Sequence, residues 1–276
     1  MAIDVTPRIL SEQEAESTLT QVRELGFAVV EESLTPEAVS VIREACRDDW
    51  DMGRGRAGSP EQEEAFHGPG VKLLYNLYRI RPLYRTLLLN AETASLARAL
   101  LQIGSYRESE PIQIALTQAR GLVGKQPAQN LHIDSNLPGS GYCLVTQAMW
   151  LLDDFNQESG GTRVVPRSHL TRRYPTPDDE DDCIVLDAPA GSLVLFDGSL
   201  WHGAAEKDSG GERWMILCRY SRWFYRPSFD HTRNTPRHIY DELTEEQREL
   251  LGFRFSPPTE EKERVRRMTR QAEYPE

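Results

Sequence analysis

From residue 111 onward the chain is cut into short apolar or alternating runs by glycine, proline, asparagine and aspartate, and this punctuation limits the fold more than any other feature. PIQIALTQAR, NLHIDS, YCLVTQAMWLLDD, TRVVP, CIVLDAP, GSLVLFDG, WHGAA and RWMILCRYSRWFY each have the length and residue content of a strand. About eight strands at this spacing predict a sandwich or a closed double sheet.

The first hundred residues have a different texture. SEQEAESTLTQVREL carries apolar residues at helical spacing, GFAVVEE is a short strand-like run, and TPEAVSVIREACRDDW starts with Thr35 as N-cap and Pro36 at the first helical position. Residues 51 to 70 are rich in glycine and charge and predict a loop. VKLLYNLYRIRPLYRTLLLNAETASLARALLQIG has leucines at steps of three and four and predicts two helices broken near Pro82 and Asn90. PTPDDEDDC, residues 175 to 183, reads as a solvated acidic loop, and TEEQRELLGFRF and TEEKERVRRMTRQAEYPE near the end read as charged helical or frayed segments. The organisation expected is one domain over residues 1–276: a helical part at about 10–105, a β core at about 111–227 and a charged extension at about 228–276.

With 43 acidic against 32 basic residues the net charge is −11, which argues against loose electrostatic attachment to nucleic acid or to an anionic membrane. Four cysteines without C-x-x-C spacing indicate neither a zinc knuckle nor a disulfide scaffold. The opening residues lack the pattern of a secretory signal, and no apolar run is long enough to span a bilayer, so the expected location is cytoplasmic. A small molecule is the expected partner, and the sequence leaves the oligomeric state open.

NLHIDSNLPG, residues 130–139, places His132 and Asp134 two positions apart, so a strand would turn both side chains to one face. An isolated H-x-D arises often by chance, and a hydrogen-bonded polar pair is its ordinary reading. His202, at the end of GSLVLFDGSLWHG, could complete a three-ligand face that leaves the other side of a divalent metal open, as non-haem iron(II) oxygenases require. Arg213 lies eleven positions further on, at the start of the next strand after the hairpin-like AEKDSGGER. There it could grip the far carboxylate of a dicarboxylate whose other end chelates the metal.

HID at 132–134, SGGTRVVPRSH at 159–169, GSLVLFDGSLWHG at 191–203 and Arg213 together resemble the phytanoyl-CoA dioxygenase family of iron(II)- and 2-oxoglutarate-dependent oxygenases. ELGFAVVEESLTPEAVSVIREA and LLYNLYRIRPLYRTLLL add to the resemblance, which covers about residues 20–230. It implies a mainly β fold with flanking helices, a double-stranded β-helix of the jelly-roll, cupin-like kind. It further implies that His132, Asp134 and His202 hold Fe(II), that Arg213 binds the C5 carboxylate of 2-oxoglutarate, and that O2 is the oxidant. Gln113 and Trp150 fall near positions where the family contacts the cosubstrate. Two departures stand out: Gly203-Ala204 where a hydroxyl residue often follows the distal histidine, and Arg167 where glycine is common. The family treats the position of His169 as structural.

Asp134 favours hydroxylation over halogenation, because related halogenases give up the carboxylate ligand to make room for chloride. Tyr75, Tyr78 and Arg79, with Arg219 and Trp223, are candidate substrate-pocket residues, and strict alternation puts Arg219 on the face of Arg213. The acidic total offers no support for a coenzyme A ester, and a small metabolite or natural-product intermediate is the expected substrate. Two other readings use the same residues. A zinc hydrolase with the His/Asp/His site would need a separate general base, and a cupin-like binding protein would have kept the barrel without turnover.

Overall fold

The computed structural model describes residues 3–105, 110–254 and 260–261. The chain opens with α1 (Glu12–Leu25), which Ser11 and Glu14 start as a reciprocal capping box and Gly26 ends in the left-handed conformation. β1 (Phe27–Val30) follows, then α2 (Pro36–Asp51), with the Thr35 hydroxyl accepting from the Ala38 N–H as the cap. The glycine-rich stretch expected to be a loop contains α3 (Pro60–His67), started by a Ser59/Gln62 capping box that composition alone conceals. VKLLY is β2 (Val71–Tyr75) rather than helix, because its pairing with a long partner strand overrides the helical spacing of its leucines. The predicted breaks do fall where α4 (Pro82–Leu88) and α5 (Ala91–Leu101) begin.

The β core is built from β3 (Ile112–Val123), β4 (Val145–Leu151), β5 (Thr162–Val164), β6 (Ile184–Val185), β7 (Leu193–Asp197), β8 (His202–Ala204) and β9 (Glu212–Arg222). All pairings are antiparallel. One sheet has the order β1-β7-β4-β9-β3-β2, and a smaller one the order β6-β5-β8. This is the double-sheet jelly roll expected. NLHIDS does not form a regular strand: only His132 makes a bridge, to His202 of β8. The acidic loop also has more structure than its composition suggests. A 3-10 turn at Pro177–Asp182 buries Asp179, which accepts from both terminal guanidinium nitrogens of Arg173.

Alternation along β9 divides the interior. Trp214, Ile216, Cys218 and Tyr220 face outward and pack with Trp150, Ile42, Leu87 and Ala97 in the layer between the large sheet and the helices. Met215 and Leu217 face inward with Met149, Phe196 and Phe155, between the two sheets. A β-bulge between Ile114 and Leu116 reverses the facing of β3, so Ile112 and Ile114 pack on the helices while the even-numbered residues after it point inward. Arg167 keeps the backbone that a glycine would adopt there, with φ 67°, and its N–H donates to the Leu25 carbonyl. The loop therefore holds its shape despite the substitution. His169 Nε2 donates to the Arg23 carbonyl, 3.1 Å away, which ties this turn to the end of α1.

Three short helices close one end: α6 (His231–Asn234), α7 (Arg237–Glu242) and α8 (Glu245–Leu250). TEEKERVRRMTRQAEYPE lies almost wholly outside the described residues. No helix among the described residues is long and apolar enough to cross a membrane. The four cysteines are unpaired.

His231 lies 2% exposed against the edge of Tyr78, and neither ring nitrogen has a hydrogen-bond partner among the described residues. Burial pushes its imidazole down to about 4 from an ordinary 6.5, with Arg79 acting in the same direction and Asp230 opposing. Charging His231 thus costs more in the folded chain than in the unfolded one. Its effect is absent above pH 6.5, and stability falls as pH drops from 6.5 towards 4, by up to about 3 kcal/mol. Urea unfolding across that range is expected to show the loss, and His231→Phe, which keeps the ring contact with Tyr78, should flatten it.

Candidate metal centre

His132 and His202 are seventy residues apart in sequence, and a reciprocal pair of backbone hydrogen bonds joins them, 2.9 Å from His132 N–H to His202 O and 3.0 Å in return. Two residues further on, the N–H groups of Asp134 and Ser135 both donate to the Gly198 carbonyl. These anchors, rather than an extended strand, turn His132 and Asp134 towards the same point. Gly203 lets the segments approach, since a Cβ there would lie 2.6 Å from the Gln129 carbonyl oxygen.

The ligand atoms of His132, Asp134 and His202 lie within 4.8 Å of one another. The ring centroids of the two histidines are 4.4 Å apart, and Asp134 Oδ2 is 3.4 Å from His202 Nε2. His132 Nδ1 is 3.0 Å from the Asn130 carbonyl and His202 Nδ1 is 2.9 Å from the Leu200 carbonyl. A carbonyl only accepts, so both protons sit on Nδ1 and both Nε2 lone pairs are free for a metal. Burial and the neighbouring His202 hold the His132 imidazole below its ordinary value, in the neutral form that ligation needs. Burial by itself would raise the Asp134 carboxyl. The neighbouring His202 and the charge of Arg219 more than offset it, and the group is held below the usual carboxylate range. Arg219 donates to Asp134 Oδ1 at 2.7 Å, and the Gln147 amide donates to Oδ2.

These groups open into a cavity of about 110 Å³ between the two sheets. Arg213 lines it, 2% exposed, stacked 4.1 Å over the Phe155 ring and with its Nε lacking any acceptor. Burial, with Arg120 as the second cause, lowers its guanidinium to about 9, and it stays cationic at neutral pH. An unpartnered buried guanidinium is costly unless an anion comes to it. Two neutral imidazoles, one carboxylate and a waiting cation fit a divalent metal chelated by a dicarboxylate. Among the described residues the lining offers no carboxylate besides Asp134, so a hydrolytic reading finds no general base there.

Arg219, expected as a substrate-pocket residue on the face of Arg213, does share that face through Met215 and Leu217, but there it lines the cavity of the three candidate ligands and pairs with Asp134. Several other candidates lie elsewhere. Gln113 stands before the bulge, where its amide reaches the carbonyls of Arg222 and Trp223 at 3.2 and 2.9 Å, so it braces the end of β9 instead of touching a cosubstrate. Trp150 is on the outward face of β4, fully buried among the helices, because Gln147 and Met149 take the inward positions. Tyr78 donates to or accepts from the Thr235 hydroxyl in the helical core, Arg79 reaches Asn234, and Trp223 is 43% exposed beside Phe224. Of the substrate candidates, Tyr75 lines a second, larger space of about 640 Å³. Gln118 is a wall common to both cavities.

Arg120, Gln118, Gln129, Gln147 and Thr162 were not anticipated from the sequence, although all face the metal-side cavity. The alternation of Gln118 and Arg120 in IALTQARG could have flagged two of them, had the bulge been readable. Thr162 lies opposite Ala204 in the β5–β8 pairing, where it brings a hydroxyl to the side that the Gly203-Ala204 departure left without one. The segment AEKDSGGER does not make the expected hairpin, because β8 pairs with β5 in the small sheet and β9 with β3 and β4 in the large one; this crossing is held by Lys207, 1% exposed, whose ammonium donates to the Ser209 and Gly211 carbonyls at 2.5 and 2.7 Å and to the Ser209 hydroxyl at 2.9 Å.

Comparisons with known proteins bear on the same site. The fold matches the epimerase SnoN from nogalamycin biosynthesis, solved with Fe3+, alpha ketoglutarate and nogalamycin RO, with a TM-score of 0.62 and 19% identity over 79% of this chain and 88% of that one. It also matches HygX from Streptomyces hygroscopicus, solved with nickel and 2-oxoglutarate, at a TM-score of 0.61 and 16% identity over 79% and 89% of the two chains. In sequence, the chain is 27% identical to the dioxygenase cdmA of Talaromyces verruculosus over 264 residues, 90% of this chain and 86% of that protein. The phytanoyl-CoA dioxygenase (PhyH) family model matches residues 22–215. On that match the chain belongs to the phytanoyl-CoA dioxygenase family and is a non-haem iron, 2-oxoglutarate-dependent dioxygenase.

Proposed function

We propose that this enzyme hydroxylates an unactivated carbon of a small metabolite or natural-product intermediate, with release of succinate and CO2. The observation that carries the reading is the convergence of His132, Asp134 and His202 beside the buried, acceptor-free guanidinium of Arg213. His132 Nε2, His202 Nε2 and one Asp134 oxygen would hold Fe(II), and Arg213 would receive the C5 carboxylate of 2-oxoglutarate. When bound, the ferrous ion with 2-oxoglutarate and O2 supplies the oxidising power for breaking a C–H bond. The chain contributes placement and dryness. Gln147 and Arg219 fix the Asp134 carboxylate, the Asn130 and Leu200 carbonyls fix both imidazole tautomers, and Phe155, Met215 and Leu217 keep water from the cavity.

The space of about 640 Å³ beyond Gln118 is the proposed substrate chamber. Tyr75 and Phe229, with ring centroids 5.6 Å apart, and Leu116 give it an apolar wall, and Glu63 and His67 give it a polar one. Among the described residues no arginine or lysine lines it, which suits a compact ring compound better than a polyphosphate carrier such as coenzyme A. An epimerase from nogalamycin biosynthesis among the structural neighbours supports the same substrate class. Asp134 occupies the position that a halide would need, which favours hydroxylation over halogenation.

Anaerobic addition of Fe(II) and 2-oxoglutarate is expected to produce a visible charge-transfer band, with succinate release under oxygen supported by iron and not by zinc. Turnover of acyl-CoA esters alone in a broad substrate screen would overturn the substrate class. Calorimetric titration with Co(II) provides a separate check: His132→Ala should abolish tight binding, while Arg219→Ala, which frees Asp134 on one side only, should weaken it by about 10–100-fold.

A further inference from the structure

Arg213 is not the only guanidinium that faces the metal-side cavity without a protein acceptor. Arg120 on β3 lines the same cavity, its Nε is buried without a partner, and among the described residues its side chain makes no hydrogen bond or ion pair. Arg219 differs, since it already donates to Asp134. The register explains why the two free cations are close. Leu122 faces Arg213 and Arg120 faces Met215, so the arginines are diagonal neighbours on the inward face of β3 and β9. Such diagonal positions lie about 7–8 Å apart at the backbone, well within reach of two long side chains for one small anion.

Two like charges held this close in a buried cavity repel each other unless an anion lies between them. The repulsion is visible on Arg213, whose guanidinium is lowered by burial first and by Arg120 second. Burial lowers Arg120 as well, with Tyr75 and Asp134 opposing. A cavity of about 110 Å³ is a compartment for one small ligand, and a second molecule would lie in the chamber beyond Gln118. Both cations are therefore directed at the same guest. A carboxylate has two oxygens and about four acceptor positions, enough for donors from two guanidinium groups.

We infer that Arg120 is a second cosubstrate arginine, and that the C5 carboxylate of 2-oxoglutarate lies between Arg120 and Arg213. The inference rests on the assignment of this cavity to 2-oxoglutarate made above. It makes the site selective for a 2-oxo diacid over a 2-oxo monoacid by charge at the far end, independently of the chelating end.

The test compares 2-oxoglutarate with 2-oxovalerate, the same carbon chain ending in a methyl group, by anaerobic titration of the Fe(II)-loaded protein followed by the charge-transfer band. Arg120→Gln is expected to weaken 2-oxoglutarate by about 10–100-fold and to leave 2-oxovalerate unchanged. Because Arg120 has no protein acceptor, the ligand-free melting temperature of that variant should not fall below that of the wild type. Arg120→Lys, which keeps the charge and the stem, should lose less 2-oxoglutarate affinity and serves if the glutamine variant does not fold. Unchanged 2-oxoglutarate affinity, or an equal loss for both oxoacids, overturns the inference. A wild-type protein that gives no band removes the cosubstrate assignment and this inference with it, whereas a wild-type band with unaltered variants removes this inference alone.

Discussion

Two backbone hydrogen bonds between His132 and His202 hold together everything the site depends on. Neither residue belongs to a long strand at that point: one makes an isolated bridge and the other begins a strand of three residues. The pairing nevertheless fixes the relative height of two ring nitrogens and, through the Gly198 carbonyl, that of a carboxylate. Side-chain packing could not achieve this alone, since rotamers adjust and a paired backbone does not. The large sheet provides the floor, and over it β8 of the small sheet carries His202 while His132 and Asp134 come from the irregular segment bridged to it.

Electrostatics inside the barrel run opposite to those of the whole chain. The net charge is −11, yet the metal-side cavity is lined by Arg120, Arg213 and Arg219 with only Asp134 against them. A small dianion entering such a space exchanges its hydration for fixed donors, and the metal charge adds to the attraction. The neighbouring chamber has the reverse character, with Glu63 as its charged group and, among the described residues, no arginine or lysine. Two adjoining spaces of opposite polarity, separated at Gln118, offer a physical basis for keeping cosubstrate and substrate in their own places.

Much of this was legible in the sequence because it depends on spacing. Period-two alternation along RWMILCRYS gives the inward face of β9, including Arg213 and Arg219, and the HID and WHG segments mark the proposed ligands. What was hidden depends on partners far along the chain. The bulge in β3 reverses which residues face inward, so Arg120 and Gln118 went unnoticed while Gln113 was overvalued. Trp150 sits one position from the inward-facing Met149, and a single-residue difference in facing separates pocket from core. The leucines of VKLLY have helical spacing, and only the long neighbouring strand makes that segment β. Tyr78 and Arg79 follow the turn after β2, where the chain leaves the sheet for the helical layer, a change of direction that no periodicity announces.

The crossing from β8 in the small sheet to β9 in the large one ties His202 to Arg213 through a connection that Lys207 fastens from within. Since neighbouring residues of a strand look to opposite sides, adding or deleting one residue at the start of β9 would send Arg213 into the helical layer and bring Trp214 into the cavity. Evolution can therefore redecorate the tip of this connection freely, but it can change the count leading into β9 only in pairs or by introducing a compensating bulge. Descendants of this chain that bind different substrates should diverge in the chamber walls while the length of this short segment stays fixed.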